Sequence, residues 1–166
     1  MTKTIENLKA AFSGESEARN KYTYFAKVAR KEGYHYIAKI FEETAMNEMQ
    51  HAKDEFKLLD GIGNTLDNLK AAISGEHHET EEMYPTFARE ADEEGNTKAA
   101  KLFRAIAKVE KEHEERYKKL LALVESGNVF SREEAIKWKC SKCGHVHTGN
   151  HPPEECPSCK HPKEYF

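Results

Sequence analysis

NLKAAFSGE, residues 7–15, returns as NLKAAISGE, residues 68–76, with eight of nine letters unchanged. The offset is 61 through this phrase and 62 beyond it: Phe25 matches Phe87, Gly33 matches Gly95, Phe41 matches Phe103, and Leu58-Leu59 matches Leu120-Leu121. One residue has therefore been inserted into the second copy. Each copy runs about sixty residues and reads as helix, glycine-containing turn, helix. Two copies are too few to stack as a solenoid, so the duplication predicts two helical hairpins of one bundle.

Working outward, apolar residues recur at helical spacing on both sides of each turn. The first helix carries Leu8, Phe12, Tyr22 and Phe25, and the second Ile37, Phe41, Ala45, Ala52 and Phe56. The third carries Leu69, Ile73, Met83 and Phe87, and the fourth Leu102, Phe103, Ile106, Tyr117 and Leu120. Thr4 and Thr65 each precede an acidic residue by two positions, which suits capped helix starts. Pro85 lies inside the third helix and predicts a bend there. The expected fold is an all-α four-helix bundle over residues 1–130. After Gly127 the helical period fades, and a linker is expected around 127–137. Residues 131–166 then form a small module, too short to hold a core unaided.

Composition narrows the function classes. The chain has 166 residues, 33% charged and 38% hydrophobic, with a net charge of −3. That balance suits a folded protein with solvated helix faces. No long basic run invites nucleic acid, and no apolar run approaches a membrane span. The N-terminus lacks the apolar core of a secretory signal, so a cytoplasmic location is expected. All four cysteines lie between 140 and 159. In a reducing compartment such a cluster favours metal over disulfides.

The chemistry is carried by carboxylates on the core-facing stripes. Glu15 lies in the stripe of the first helix, Glu48 and His51 in that of the second, Glu79 in that of the third with Glu82 at its edge, and Glu110 and His113 in that of the fourth. A buried carboxylate must be neutralised, paired or bound to metal, and Arg19 and Lys21 lie at or beyond the stripe edge. Residues i and i+3 share a helix face, so each Glu-x-x-His presents two ligands to one ion. Two such pairs, with glutamates from the other two helices, make a di-iron or di-manganese carboxylate pattern. Glu17, Glu43, Glu76 and Glu81 are expected to be solvated, and His77 and His78 to lie at the surface or behind the ligands. Tyr22, two turns from Glu15, has a hydroxyl for which a ligand carboxylate is a natural partner. In the tail, Cys140-x-x-Cys143 and Cys156-x-x-Cys159 are two knuckles that give a tetrahedral site for zinc or for one iron. His145, His147, His151 and His161 exceed what four-sulfur ligation needs.

Over nearly its whole length the chain resembles the rubrerythrin family. The resemblance rests on the order Glu15, Glu48-Met49-Gln50-His51, Glu79-Thr80-Glu81-Glu82, Glu110-Lys111-Glu112-His113 and the four cysteines, and on the phrases SGESEARNKY, SGEHHETEEMYP and CPSCKHP. It implies a ferritin-like bundle and a rubredoxin-like domain, with two Fe in the bundle and one Fe on the cysteines. It also implies a peroxidase: hydrogen peroxide is reduced to two waters, and a rubredoxin or NAD(P)H-dependent reductase supplies the electrons. By the same resemblance Glu48 and Glu110 bridge the irons, Glu15 and Glu79 are terminal, His113 holds one iron, and His51 and Glu82 exchange on the other. A ferroxidase or iron-storage role is the alternative, against which the cysteine module argues.

The repeat bears on assembly. In a ferritin-like bundle the second and third helices are parallel, so the connection must return about 35 Å at about 1.5 Å per helical residue. Residues 60–64 reach only about 20 Å at about 3.5 Å per residue. The expectation is a helix-exchanged homodimer, in which one chain supplies Glu15, Glu48 and His51 and its partner Glu79, Glu82, Glu110 and His113; the alternatives are an all-antiparallel single-chain bundle or a third helix that begins near Gly75.

Overall fold

Two long helices open the chain because nothing interrupts their apolar period until a glycine is needed. The computed structural model describes residues 2–166, with α1 at Lys3–Lys31 and α2 at His35–Leu58. Gly33 ends α1 with a φ of 88°, and the Tyr34 N–H returns to the Ala29 carbonyl at 2.9 Å. A left-handed glycine followed by a long return bond is the usual way a helix closes. The second copy repeats the device: Gly95 has a φ of 74° and the Asn96 N–H reaches the Ala91 carbonyl at 2.7 Å. The starts differ from expectation. Thr2 and Asn64 cap α1 and α3, while Thr4 and Thr65 already lie within the helical spans.

The chain divides into two compact units, one ending at Gly63 and one beginning at Asn64. In the first, α1 packs along α2. Ala26, Ala29, Ala38, Ala45 and Ala52 are its buried residues, so the two backbones approach over small side chains. Phe12 stacks on Phe56 with ring centroids 4.7 Å apart, and Tyr22, Phe25 and Phe41 form a second aromatic group. An Arg30–Glu42 ion pair closes the turn end. Phe25, Ile37 and Ile40 remain exposed in the chain.

In the second unit the predicted third helix is three pieces. They are α3 (Thr65–His78), a π-helical turn (Glu79–Met83) and α4 (Tyr84–Glu93), all packed on α5 (Thr97–Glu125). The Tyr84 N–H bonds to the carbonyl of Glu79, five residues back. This turn explains the change of repeat offset. Glu15 and Glu76 differ by 61, Tyr22 and Tyr84 by 62, and the inserted residue falls between them, where the π turn absorbs it. Pro85 sits just beyond, at the start of α4, so the expected bend is a change of helical register. Downstream the two copies coincide again. Tyr84, Phe87 and Phe103 repeat the group of Tyr22, Phe25 and Phe41, and the Phe–Phe centroid distance is 5.7 Å in both. The Arg104–Asp92 ion pair repeats Arg30–Glu42 with its charges exchanged between the helices. Phe87, Leu102 and Val109 are exposed, as are their counterparts in the first unit.

Beyond α5, β1 (Ile136–Lys139) and β2 (Val146–Gly149) form an antiparallel hairpin with Trp138 opposite His147. Trp138 is buried, donates from its indole N–H to the Gly149 carbonyl at 2.9 Å, and carries the Arg132 guanidinium over its ring. The expected linker is partly fixed. Asn150 donates to the carbonyls of Arg132 and Glu133 at 3.1 and 2.6 Å, and the Arg132 N–H reaches the Asn150 carbonyl at 2.9 Å.

Candidate metal centre

Each helical unit gathers one triad of carboxylate and imidazole. In the first, α1 presents Glu15 and α2 presents Glu48 and His51 on successive turns. His51 Nδ1 lies 2.9 Å from Glu48 Oε2 and 3.9 Å from Glu15 Oε1. In the second, α3 presents Glu76 and α5 presents Glu110 and His113. His113 Nδ1 lies 2.6 Å from Glu110 Oε2 and 3.7 Å from Glu76 Oε2. The ligand atoms of each triad lie within 4.8 Å of one another. The Glu48 and Glu110 side chains are 16% and 15% exposed, so the innermost carboxylates of the two triads have the same depth.

The triads are electrostatically uneasy without a cation. A hydrogen bond that the protonated Glu15 carboxyl donates to Glu48, then burial and the Glu48 charge, holds Glu15 above its ordinary value. Glu76 is raised first by burial and then by Glu110. Two carboxylates that close repel, and a divalent cation between them removes the conflict. Oxygen and imidazole donors without sulfur suit iron or manganese.

Five sequence-predicted ligands stand in these triads: Glu15, Glu48, His51, Glu110 and His113. The sixth member, Glu76, corrects the expectation that it is solvated. It occupies the place of Glu15 in the repeat, and it lies before the π turn, so the turn does not rotate it away. Glu79 opens that turn, half-buried and close enough to Glu76 and Tyr84 to raise both their pKa values. Glu82 is placed differently. Its side chain is 73% exposed and pairs with His78 at 3.3 Å. The extra residue of the π turn shifts everything after it by about 100°, which a stripe traced at constant α-helical pitch does not follow. Tyr22 stacks against Phe41 with centroids 6.1 Å apart. Its counterpart Tyr84, missed in the sequence, faces the second triad. Burial first, then the charges of Glu79, Glu110 and Glu76, raise its hydroxyl pKa. The match of Tyr22 to Tyr84 at offset 62 was the available signal.

In the tail the two knuckles share one geometry. Amide N–H groups close them: Cys140 to the His145 carbonyl at 2.8 Å, and Cys156 to the His161 carbonyl at 2.8 Å. Gly144 and Lys160, which follow Cys143 and Cys159, both have positive φ, 80° and 60°. Sγ of Cys140 lies 3.7 Å from that of Cys159, and Cys143 Sγ lies 3.6 Å from Cys156 Sγ. Those are the edges of a tetrahedron whose centre is about 2.3 Å from each sulfur, the length of a metal–thiolate bond. The His145 amide and then the neighbouring thiols bring Cys143 down to about 7. Cys159 also receives an amide, from His161, yet burial and the other three thiols push it up to about 12. Four sulfurs this close repel one another as thiolates, and a bound cation removes that repulsion. His147 and His161 are half-buried and His151 is exposed, and none joins the sulfur cluster. Among the described residues no helix is long and apolar enough to cross a membrane.

Comparison with known proteins shows the family. The family model Rubrerythrin matches residues 6–121, and the model "Rubrerythrin, rubredoxin-like domain" matches residues 138–166. The chain is 50% identical to rubrerythrin of Porphyromonas gingivalis, over 99% of this chain and 89% of that one. It is 47% identical to rubrerythrin-1 of Clostridium acetobutylicum, over 99% and 93%. A solved structure of partially reduced nigerythrin is 37% identical and covers 100% of this chain and 86% of that one, with a TM-score of 0.40.

Proposed function

Because this chain belongs to the rubrerythrin family, with a di-iron carboxylate–histidine site and a rubredoxin-like iron site, we propose that it is a hydrogen peroxide reductase. The observation that carries the reading is the joining, in one chain, of two Glu/Glu/His triads to a tetrahedral set of four cysteines. Storage or simple oxidation of iron gives the sulfur site nothing to do. A peroxidase needs it, because electrons spent on substrate must be replaced.

When bound, the di-iron pair supplies two electrons to the peroxide O–O bond, and with two protons the products are two waters. The residues of the chain prepare that step. Glu15, Glu48 and His51 hold one metal position, and Glu76, Glu110 and His113 the other. Glu48 and Glu110, the most enclosed carboxylates of the two triads, would be the ones shared between the metal positions. Glu79, one turn after Glu76 and half-buried at the start of the π turn, is the carboxylate we assign to exchange with His51, in preference to Glu82, whose side chain is 73% exposed. The Tyr84 hydroxyl, kept protonated by burial and by the charges of Glu79, Glu110 and Glu76, would offer the site a hydrogen-bond donor. An external rubredoxin or NAD(P)H-dependent reductase reloads the cysteine iron in the cytoplasm. We take 1–130 as the di-iron domain and 131–166 as the relay.

The working form is a helix-exchanged homodimer. The segment 60–64 is too short for the return that a single-chain ferritin-like bundle demands. Each hairpin also exposes aromatic and aliphatic side chains beside its triad, surface that calls for a partner. In the exchanged dimer, helices α1 and α2 of one copy meet α3, α4 and α5 of the other, and each site takes one triad from each chain.

The test is stopped-flow mixing of anaerobically reduced protein with hydrogen peroxide, following the visible bands of the thiolate-bound iron. Reoxidation to the ferric spectrum with peroxide consumed is expected. Bands that stay bleached while peroxide persists would move the chain to iron handling.

A further inference from the structure

The two triads match closely, but what lies behind them does not. Glu114, immediately after His113, is the single charged side chain that is buried among the described residues, with its side chain 7% exposed. Its Oε1 is engaged twice. The His77 Nδ1–H donates to Glu114 Oε1 at 3.0 Å, and Lys118 Nζ lies 2.9 Å from the same oxygen. His77 immediately follows Glu76. The His77–Glu114 bond therefore joins α3 to α5 one residue beyond a ligand on each helix. Lys118 is on the same helix as Glu114 and compensates its charge without crossing to α3.

The first hairpin has no such bond. By the repeat, His77 corresponds to Ser16, Glu114 to Ala52 and Lys118 to Phe56. Ala52 has no polar side chain, and Phe56 stacks on Phe12. In place of the ion pair, Ser16, Ala52 and Phe56 line an open cleft of about 290 Å³. The ligands follow the same division. His51 is 57% exposed against 38% for His113, and Glu15 is 31% exposed against 19% for Glu76.

We propose that the His77–Glu114 bond is a positioning device that fixes the Glu76/Glu110/His113 triad, and so makes the two metal positions unequal by construction. One triad is pinned across its helices and holds its ion tightly. The other is unpinned and is the one free to rearrange its ligands. A partner hydrogen-bonded directly to a ligand typically contributes about 10–100-fold to metal binding; His77 and Glu114 instead hold the backbone of α3 and α5 one residue from a ligand on each helix. His77 and Glu114 touch no substrate; they act through Glu76 and His113.

This inference rests on the triads holding metal, and one experiment separates the two. Iron release from the reduced, iron-loaded full-length protein to a ferrous chelator is followed by the colour of the chelate. The cysteine-bound iron is monitored by its own thiolate absorption. Wild type is expected to release the bundle iron in two equal phases of different rate. His77→Ala, which leaves Glu114 paired with Lys118, should accelerate the slower phase at least about tenfold and leave the faster one alone. Glu114→Ala should do the same, and Glu114→Gln, whose amide oxygen still accepts from His77, should restore most of the slow phase. Phases that are unaffected, or both accelerated alike, by His77→Ala and Glu114→Ala would overturn the positioning role. Wild-type protein carrying no iron beyond the thiolate site would overturn the metal reading itself.

Discussion

Glu76 Oε2 lies 3.7 Å from Nδ1 of His113, the relation that Glu15 bears to His51 at 3.9 Å in the other hairpin. The duplicated phrase places these two glutamates in equivalent positions, each on the last residue of NLKAA(F/I)SGE. Their partners follow from the offset of 62 in α2 and α5.

Replacing Glu76 should therefore do what replacing Glu15 does. Glu76→Ala is expected to lower the iron bound by about one per chain and to reduce peroxide turnover by more than about 100-fold, since a ligand outweighs the 10–100-fold effect of an outer partner. Glu82→Ala removes an exposed carboxylate with one exposed histidine partner. It should keep full iron and turnover within about threefold, because exposed pairs contribute little. Metal analysis and steady-state kinetics on the two variants distinguish the positions. Normal iron in Glu76→Ala would contradict the assignment.

The exposed aromatic face of each hairpin makes a prediction about mass. Phe25→Asp places a charge where the proposed exchanged dimer would bury an aromatic ring, at a cost of several kcal/mol, roughly 3–5 from the lost ring alone. Light scattering behind size-exclusion chromatography should show wild type as a dimer and the variant shifted to monomer with loss of bundle iron. A wild-type monomer that retains both irons would exclude helix exchange.

Trp138 is the one tryptophan of the chain and is buried in the cysteine module. The module has no large core, so the metal supplies its folding energy, about 10–16 kcal/mol for a comparable structural site. Stripping that metal should shift Trp138 fluorescence to the red while helical circular dichroism is retained. Unchanged fluorescence after complete removal would mean that the module folds without its ion.

The ion pair Asp92–Arg104 sets a pH dependence. The Arg104 hydrogen bond holds Asp92 below its ordinary carboxylate value of 3.8. A depressed folded value means that the pair stabilises above the unfolded value and that this contribution is lost as pH falls through the folded one. Carboxyl-carbon NMR should show Asp92 titrating below 3.8 in wild type and near it in Arg104→Leu. Equal titration in both would mean that the pair does not form in solution.

The sequence by itself determined the helical class, the duplication, both Glu-x-x-His pairs, Glu15 and the four-cysteine cluster. Each follows from spacing within one element or from an exact repeat, and such patterns survive without knowledge of packing. Tertiary structure added what the repeat only offered, Glu76 in a triad and Glu82 left exposed, because a π turn at Glu79–Met83 breaks the constant pitch that any stripe assumes. It alone brought His77 to Glu114, thirty-seven residues away. It alone showed that one triad is pinned and the other open. A repeat tells which residues are equivalent; only the folded chain shows which neighbours make equivalent residues behave differently.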